Sequence, residues 1–387
     1  MKKRNYLKRV KTKKGKRFKP FKFVFFTFLA TVNGLFALLL ISSAYSDLVS
    51  PEKHVIFAYL GLSFPILFMA NLCFLIYWVF AKRWLMTSIL VIVFAVCWQP
   101  FSVFCPFHLR TKNLPQGDRV KVLSYNVMSF GYKDHTKAHP NPIIEYIAES
   151  EADIVCLQEY CVSTHENRIS SLDIAKALPM YPYISEIILS DPAHKNNRYG
   201  LALLSKFPII SSRRIPYPSI YNGSAIHDIN VRGRKVTVIN NHLESFKLTA
   251  EDRSKYSDMI TNVSFESLDV FRTAVQQKIG RAFRIRATQA EKVADEIRNA
   301  GGYYTIVCGD FNDTPISYAH RTIRGTLVDA YASSGFGMGV SYNQNLFFFR
   351  IDHILHSSNM NSYNCRIDTR INMSDHYPIH CFLKLNE

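Results

Sequence analysis

The sequence predicts a layered α/β domain over residues 117–387, carried behind three membrane-spanning helices. Three observations predict this. Three long charge-free apolar runs lie between residues 23 and 104. Short apolar strands then alternate with helical patterns. Polar residues stand directly after several of those strands, where a rigid sheet presents side chains to its loops. With 48% hydrophobic residues and 16 Gly in 387, pervasive disorder and a collagen-like chain are both excluded.

The formal net charge is +17, from 47 Lys+Arg against 30 Asp+Glu. It is unevenly placed. Residues 1–22 hold 12 Lys/Arg and no acid, whereas residues 111–387 hold 31 Lys/Arg and 28 Asp/Glu. The basic character therefore belongs to a tail directly before an apolar run. That position points to a membrane-topology signal ahead of a nucleic-acid site.

Phe23 to Tyr45 gives 23 residues without a charge, and Val55 to Phe80 gives 26, interrupted by Pro65 and Asn71. Leu85 to Phe104 gives 20, softened by Gln99 and Pro100. A span needs about 20 mainly apolar residues, so a membrane region is expected over residues 23–107. The tail predicts a cytoplasmic N-terminus. Asp47 and Glu52 suit an outside first loop, and Lys82 and Arg83 suit an inside second loop. Three spans then place the large domain outside the cytoplasm, at a plasma or inner membrane. Ser42-Ser43-Ala44 leaves a cleaved signal peptide open, but the run exceeds the usual apolar region of about 7–15 residues.

Thr111 to Gln116 reads as a linker. Strands are expected at Val120–Tyr125, Ile154–Gln158, Gly200–Ser205, Val236–Asn240, Tyr303–Cys308, Ile351–His356 and Ile379–Leu385. Helices are expected at Asn141–Glu149, opened by Pro142, and at Ala287–Asn299, with Ala290, Val293, Ala294 and Ile297 on one stripe. The eight cysteines show no CxxC spacing, so a zinc site built on them is not expected. Cys156, Cys308 and Cys381 read as small buried side chains, and spacing leaves open a Cys161–Cys365 pair.

Asn126, Glu159, His242, Asp310 and Asn312 follow strands. Asp352 lies in Arg-Ile-Asp-His-Ile, and Asp375-His376 lies in Ser-Asp-His-Tyr-Pro. A lone Glu after a strand is usually solvated, a lone His is usually structural, and Asp-Phe-Asn alone suits a turn. Together the residue types cohere: carboxylates for a hard divalent ion, amides for phosphate oxygens, histidines for protons.

These motifs, with Tyr199-Gly200-Leu-Ala-Leu-Leu-Ser and Gly-Asp310-Phe-Asn312-Asp, occur in an order that resembles the endonuclease/exonuclease/phosphatase superfamily. The resemblance covers about Val120 to Leu385. It implies a four-layered α/β sandwich, two mixed sheets packed face to face with helices outside. It also implies metal-dependent hydrolysis of a phosphate ester, with Mg²⁺ the expected ion and Mn²⁺ fitting the same ligands. By resemblance Glu159 holds the metal, supported by Asn126 and Asp375. Asn312 and His242 contact the phosphate, His376 pairs with Asp352, Asp310 handles the attacking water, and Tyr199 lies near the phosphate. Arg286 and Gln289 are expected as packing or helix-surface residues, and the Arg281, Arg284, Arg286 cluster as a solvated face.

The substrate class stays open. A net charge of only +3 over residues 111–387 gives a nuclease no strong support. Membrane attachment brings lipid head groups to high effective concentration, and equally suits an anchored nuclease acting on extracellular DNA. A phospholipid or sphingolipid phosphodiesterase, a phosphoinositide phosphatase and a non-catalytic membrane scaffold are the alternatives to a nuclease-like enzyme. The expected partners are the bilayer and the phosphate ester, with no protein partner evident. The stretch from Ser245 to Thr273 is expected to be irregular and to face substrate or membrane.

Overall fold

The computed structural model describes residues 20–386 apart from 115–116, 137, 166–167, 191–195, 220, 247–275, 343 and 345–347. Residues 1–19 of the basic tail and most of the stretch from Ser245 to Thr273 lie outside the described residues.

The N-terminal part is helical: α1 (Pro20–Ala44), α2 (Ile56–Leu62), α3 (Phe64–Phe80), α4 (Trp84–Val96) and α5 (Trp98–Phe104). Among the described residues, only one helix, over Phe21–Ala44, is by itself long and apolar enough to cross a membrane, with mean hydropathy 2.3 over its best window. The second and third expected spans are each broken, α2 to α3 by 61° and α4 to α5 by 57°. They make three spans only if each bent pair counts as one. Pro65, at the start of α3, supplies no N–H to the preceding turn and accounts for the first break; Pro100, in the first turn of α5, likewise supplies none to the end of α4. Apolar side chains such as Phe25, Leu38, Ile66 and Ile92 point outward, as a lipid-facing surface requires.

Two six-stranded sheets follow. The first has β1 (Arg119–Asn126), β2 (Ile154–Ser163), β3 (Tyr183–Ile188), β4 (Asn197–Ser205), β11 (Met360–Ile367) and β12 (Ile379–Leu385), in the order β11-β12-β1-β2-β4-β3. The second has β5 (Ile209–Arg214), β6 (Gly223–Val231), β7 (Arg234–His242), β8 (Tyr304–Asp310), β9 (Val328–Asp329) and β10 (Asp352–His356), in the order β5-β6-β7-β8-β10-β9. Each sheet contains one parallel pair, β1 with β2 and β7 with β8, among antiparallel neighbours. Both sheets are therefore mixed.

Side-chain alternation builds the layers. Val122, Cys156, Val238, Ile306 and Ile354 meet between the sheets in one core. Their chain neighbours Leu123, Val155 and Leu157 face outward to α6 (Pro142–Glu149) and α7 (Ser171–Ala177). Ile239, Val307 and Leu355 face α8 (Gln277–Asn299) and α9 (Tyr318–Arg324). A short α10 (Ala330–Ser334) follows β9. This is the expected α/β sandwich of two sheets flanked by helices.

The structure corrects several local expectations. Helix α8 begins at Gln277, ten residues before the expected Ala287. Arg286 and Gln289 are buried, at 0% and 2% exposure, so they are packing residues as one half of the expectation had it, and Arg286 leaves the expected solvated cluster. Arg281 and Arg284 do face solvent. Cys161 and Cys365 are free and do not pair. They lie on β2 and β11, three strands apart, about 14 Å at the usual strand spacing. A disulfide needs Cα atoms within about 7 Å.

Candidate active site

The two parallel pairs end at the same place. Asn126 closes β1, while His242 and Asp310 close β7 and β8 and face each other in register. Beneath them, Gln158 Nε2 donates to Asn240 Oδ1 at 2.7 Å, and Asn240 Nδ2 donates to the Leu157 and Ala202 carbonyls. These buried bonds fix one sheet against the other just below the candidate groups.

Glu159 is not at a strand end. It sits inside β2, where the register against β4 slips between Leu157 and Tyr160 and its φ is +50°. Such a bulge re-aims a side chain. The Glu159 carboxylate, 26% exposed, is turned toward Asn126 and His242, with Oε1 3.2 Å from Asn126 Nδ2 and 3.7 Å from His242 Nε2.

Asp310 is the centre of the constellation. Its Oδ2 accepts from Asn126 Nδ2 at 3.1 Å and Asn312 Nδ2 at 3.2 Å, and lies 3.6 Å from His376 Nε2 and 3.8 Å from His242 Nε2. Its Oδ1 accepts the Asn312 backbone N–H at 2.8 Å. On the far side of the ring, His376 Nδ1 meets Asp352 Oδ2 at 2.8 Å. Ser341 Oγ accepts the Asp352 backbone N–H at 3.1 Å, and Ser374 Oγ accepts that of His376 at 3.2 Å. Ligand atoms of Asp310, Asp352 and His376 lie within 4.8 Å of one another.

Burial sets the protonation. It pushes the Asp310 carboxyl up to about 6, with the Asp352 carboxylate adding to the rise and His376 and His242 opposing it. Burial disfavours the charged form of His376, yet the Asp352 and Asp310 carboxylates outweigh it and hold the ring's value well above the ordinary 6.5. His242 moves the other way, pushed down by burial. Two histidines a few ångströms apart are thus held in different states.

A hard cation fits one side of this arrangement. Burial and the neighbouring Asp375 carboxylate push the Glu159 carboxyl up, so two acids crowd a partly open spot. Asn126 donates from Nδ2 to both Glu159 and Asp310, while its Oδ1 accepts the Met128 N–H at 3.1 Å. Ser374 Oγ bonds the Asn126 carbonyl at 2.7 Å and lies 3.4 Å from Asp375 Oδ1. Tyr199 is half-buried near Glu159, its phenol pushed far up by burial and then by that carboxylate. All nine sequence-derived residues therefore gather at one end of the sandwich.

Three supporting features escaped the sequence. Asn222 Nδ2 lies 3.3 Å from His242 Nε2 and donates to the Leu243 carbonyl at 2.9 Å. Met128 to Tyr132 runs at positive φ throughout, a left-handed turn that presents the Met128 N–H to Asn126. Arg286 Nε bonds Asp313 at 3.1 Å and its Nη1 bonds the Glu244 carbonyl at 2.9 Å, tying the Asp310 and His242 loops together. Asn222 and Arg286 do not follow an apolar strand, which was the signal that located the others, and the Met128–Tyr132 turn follows β1 without a polar motif of its own.

A family model described as the endonuclease/exonuclease/phosphatase family matches residues 123–376. This chain belongs to that family. Residues 22–104 match a separate model, a domain of unknown function. No curated protein sequence matches the chain. Among solved structures, the endonuclease/exonuclease/phosphatase from Beutenbergia cavernae is 14% identical, with a TM-score of 0.48 over 70% of this chain and 72% of that one. The Bacteroides vulgatus protein of the same description is 18% identical, with a TM-score of 0.48 over 70% of this chain and all of that one (100%). The human nocturnin catalytic domain, solved with a bound sulfate anion, is 16% identical, with a TM-score of 0.48 over 72% and 96%. Membership rests on the matched residues rather than on these superpositions. At the level of the family the chain is a phosphoric ester hydrolase.

Proposed function

We propose that this chain is a membrane-anchored, divalent-metal-dependent phosphodiesterase that cleaves its ester by attack of water. The observation that carries the reading is the convergence of Asn126, Asn312, His242 and His376 on one oxygen of buried Asp310, beside the Glu159 carboxylate. Glu159, with Asp375 and Asn126 supporting, would hold Mg²⁺, and Mn²⁺ fits the same donors. That cation, when bound, neutralises charge on the phosphoryl and leaving oxygens. Asn312 and His242 bind the phosphate, and Tyr199 walls the site. Asp310, with its raised affinity for a proton, takes the proton of the attacking water as the new P–O bond forms. His376, charged and oriented by Asp352, stabilises the phosphorane oxygens as the leaving oxygen departs.

The proposal divides the chain into a basic cytoplasmic tail over residues 1–22, a membrane region over 23–107 and a catalytic domain over 117–387. The tail's 12 basic residues put the N-terminus in the cytoplasm and, with three spans, the catalytic domain outside.

A lipid head group is the second reading for the substrate, and contacts at the joint favour it. Phe246, four residues after His242, packs with Phe283 against Val55, Tyr59 and Leu62 around α2. Ile316, six residues after Asp310, is buried in the core of the N-terminal helices. Both site loops thus run directly into the helical part, so a bilayer around α1 would hold head groups near the site at high effective concentration.

The test is a substrate panel on the full chain in detergent, with and without Mg²⁺: a soluble model diester, plasmid DNA, sphingomyelin and a phosphoinositide. Mg²⁺-dependent turnover of the diester is expected, falling by about 10²-fold or more in Asp310→Asn. Near-normal turnover by that variant would sink the assignment. Hydrolysis of lipid alone rejects a nuclease, and no turnover of anything supports the scaffold alternative.

A further inference from the structure

A second cluster of metal-ligating side chains lies outside the candidate active site. His320, Asp329 and His353 are all buried, at 1%, 4% and 0% exposure, and one ligand atom of each lies within 4.8 Å of the other two. They come from three separate elements: α9, the end of β9 and β10. None belongs to the set assigned to phosphate ester chemistry.

Two of the three side chains, His353 and Asp329, are already oriented through their other polar atom. His353 Nε2 lies 2.9 Å from the Asp313 carbonyl, which can only accept, so that nitrogen carries the proton. Nδ1 then carries the lone pair, and it has no partner among the described residues. Asp329 Oδ1 accepts the Tyr331 and Ala332 N–H groups at 2.8 and 2.9 Å, which leaves Oδ2 free to turn inward. That Oδ2 lies 3.1 Å from His320 Nε2, yet neither atom makes a well-directed hydrogen bond. The Ser317 side chain caps the His320 N–H and sets the first turn of α9. An imidazole whose second N–H is fixed on a backbone carbonyl is the arrangement that outer-shell partners impose on metal ligands. An unpaired lone pair buried among Phe311 and His320 rings is otherwise unfavourable.

We infer that His320 Nε2, Asp329 Oδ2 and His353 Nδ1 form a structural site for a divalent transition metal of the Zn²⁺ type. Two imidazoles and one carboxylate suit Zn²⁺ or Co²⁺, whereas Mg²⁺ prefers oxygen donors. Tetrahedral ligand atoms at Zn–N and Zn–O distances near 2.1 Å stand about 3.4 Å apart, so small side-chain rotations close the present spacing. The fourth position belongs to water or solvent entering from a cleft that His320 lines with Tyr45, Asp47 and Gln99. Binding puts the metal between His320 Nε2 and Asp329 Oδ2, and a proton carried on Nε2 leaves to Nδ1 or to solvent. Burial, together with the neighbouring His320 and Arg350, favours the neutral form of His353 that a metal requires.

The position gives the site a purpose. His353 adjoins Asp352, the partner of His376, and its Nε2–H bonds the loop that follows Asp310. His320 stands beside Arg321, which pairs with Asp47 at 3.2 Å across the joint to the N-terminal helices. A metal here pins the active-site loop, the dyad strand and the joint together.

The test uses the full chain in detergent, purified without a polyhistidine tag, stripped with chelator and titrated with Co²⁺ in excess Mg²⁺. A single equivalent with the visible ligand-field absorption of tetrahedral Co²⁺ is expected, with a rise in the thermal unfolding midpoint. Asp329→Asn keeps the helix cap and folds, and it should weaken Co²⁺ binding by at least about tenfold, as should His353→Gln. Glu159→Gln should leave the band unchanged, which separates this site from the Mg²⁺ site. Absence of the band, its survival in both Asp329→Asn and His353→Gln, or its loss in Glu159→Gln overturns the inference.

Discussion

Four side chains point at one oxygen, Asp310 Oδ2, and only two of them can donate well at once. Asn126 and Asn312 hold it at 3.1 and 3.2 Å, while His376 and His242 stand back at 3.6 and 3.8 Å. Neither histidine nitrogen is therefore within hydrogen-bond distance of that oxygen. Two pH limits follow. Activity should fall as pH drops through about 6, where Asp310 takes a proton and ceases to be a base. It should also fall at high pH, where His376 loses the charge that Asp352 helps to hold. Asp352→Asn removes that support, so the alkaline limb of kcat/KM on a soluble diester should move to lower pH. An unmoved limb would separate His376 from the reaction. Stability carries its own pH signature at His227, buried at 1% exposure in β6 and bonded to Ser212. Burial pushes its value down to about 4, so the unfolded chain takes up a proton that the native chain refuses. Stability is then lost as pH falls from about 6.5 toward 4, by up to about 3 kcal/mol from this group. His227→Gln should flatten the dependence of the denaturation midpoint over that window.

At the scale of elements, β7 and β8 approach closely where the site is made. Gly309 sits at φ +128°, and a Cβ there would lie 2.0 Å from the Asn241 carbonyl oxygen. Only glycine lets Asp310 follow in register with His242. Helix α8 locks the same loops from outside through Arg286, fully buried on Asp313 and flanked by the Phe246 and Phe283 rings at 4.6 and 4.8 Å. Arg286→Met leaves Asp313 buried without its partner and should lower unfolding stability by about 3–5 kcal/mol. Adding Asp313→Leu should restore much of it, a recovery that chemical denaturation of both variants measures. The arginine was hidden in sequence because Arg281 and Arg284, on the exposed side of the same helix, made the run look solvated. The central strands were legible because Val122, Ile154, Val238 and Ile306 sit in continuous apolar runs buried on both faces. Strands β3, β5 and β11 lie at sheet edges, where Ser185, Ser211 and Asn361 interrupt any such run. The site residues were legible for the same reason as the central strands, since Asn126, His242 and Asp310 end them. Glu159 was placed at a strand end because the sequence carries no sign of the bulge. His320 and Asp329 could not be grouped with His353, because only the folded sheet edge brings α9 and β9 to β10.

At the scale of the whole molecule, the catalytic domain and the N-terminal helices share a joint as specific as either core. Arg350, buried at 2% exposure, reaches back to the Val103 and Phe104 carbonyls at the end of α5. Thr288 bonds Glu52 at 2.8 Å, and the Tyr59 hydroxyl donates to the Gln276 carbonyl. Burying Arg350 against backbone carbonyls is useful only if the two parts keep one orientation, because free rotation would leave its charge unsolvated. The backbone itself approaches closely at Gly280 of α8, where a Cβ would come within 2.8 Å of Tyr59 Oη and 3.6 Å of Val55 Cγ2. Glycine inside a helix costs about 1 kcal/mol relative to alanine, so the contact offsets a local disadvantage. If the joint holds the site against a bilayer, Gly280→Leu should push α2 away and disturb access to lipid more than chemistry. Turnover of a phospholipid in vesicles should then fall by roughly tenfold while turnover of a soluble diester changes little, the loss of effective concentration appearing in KM rather than kcat. Equal losses on both substrates would show that the joint supports the fold alone, and undiminished lipid turnover would show that the orientation of the two parts does not govern access.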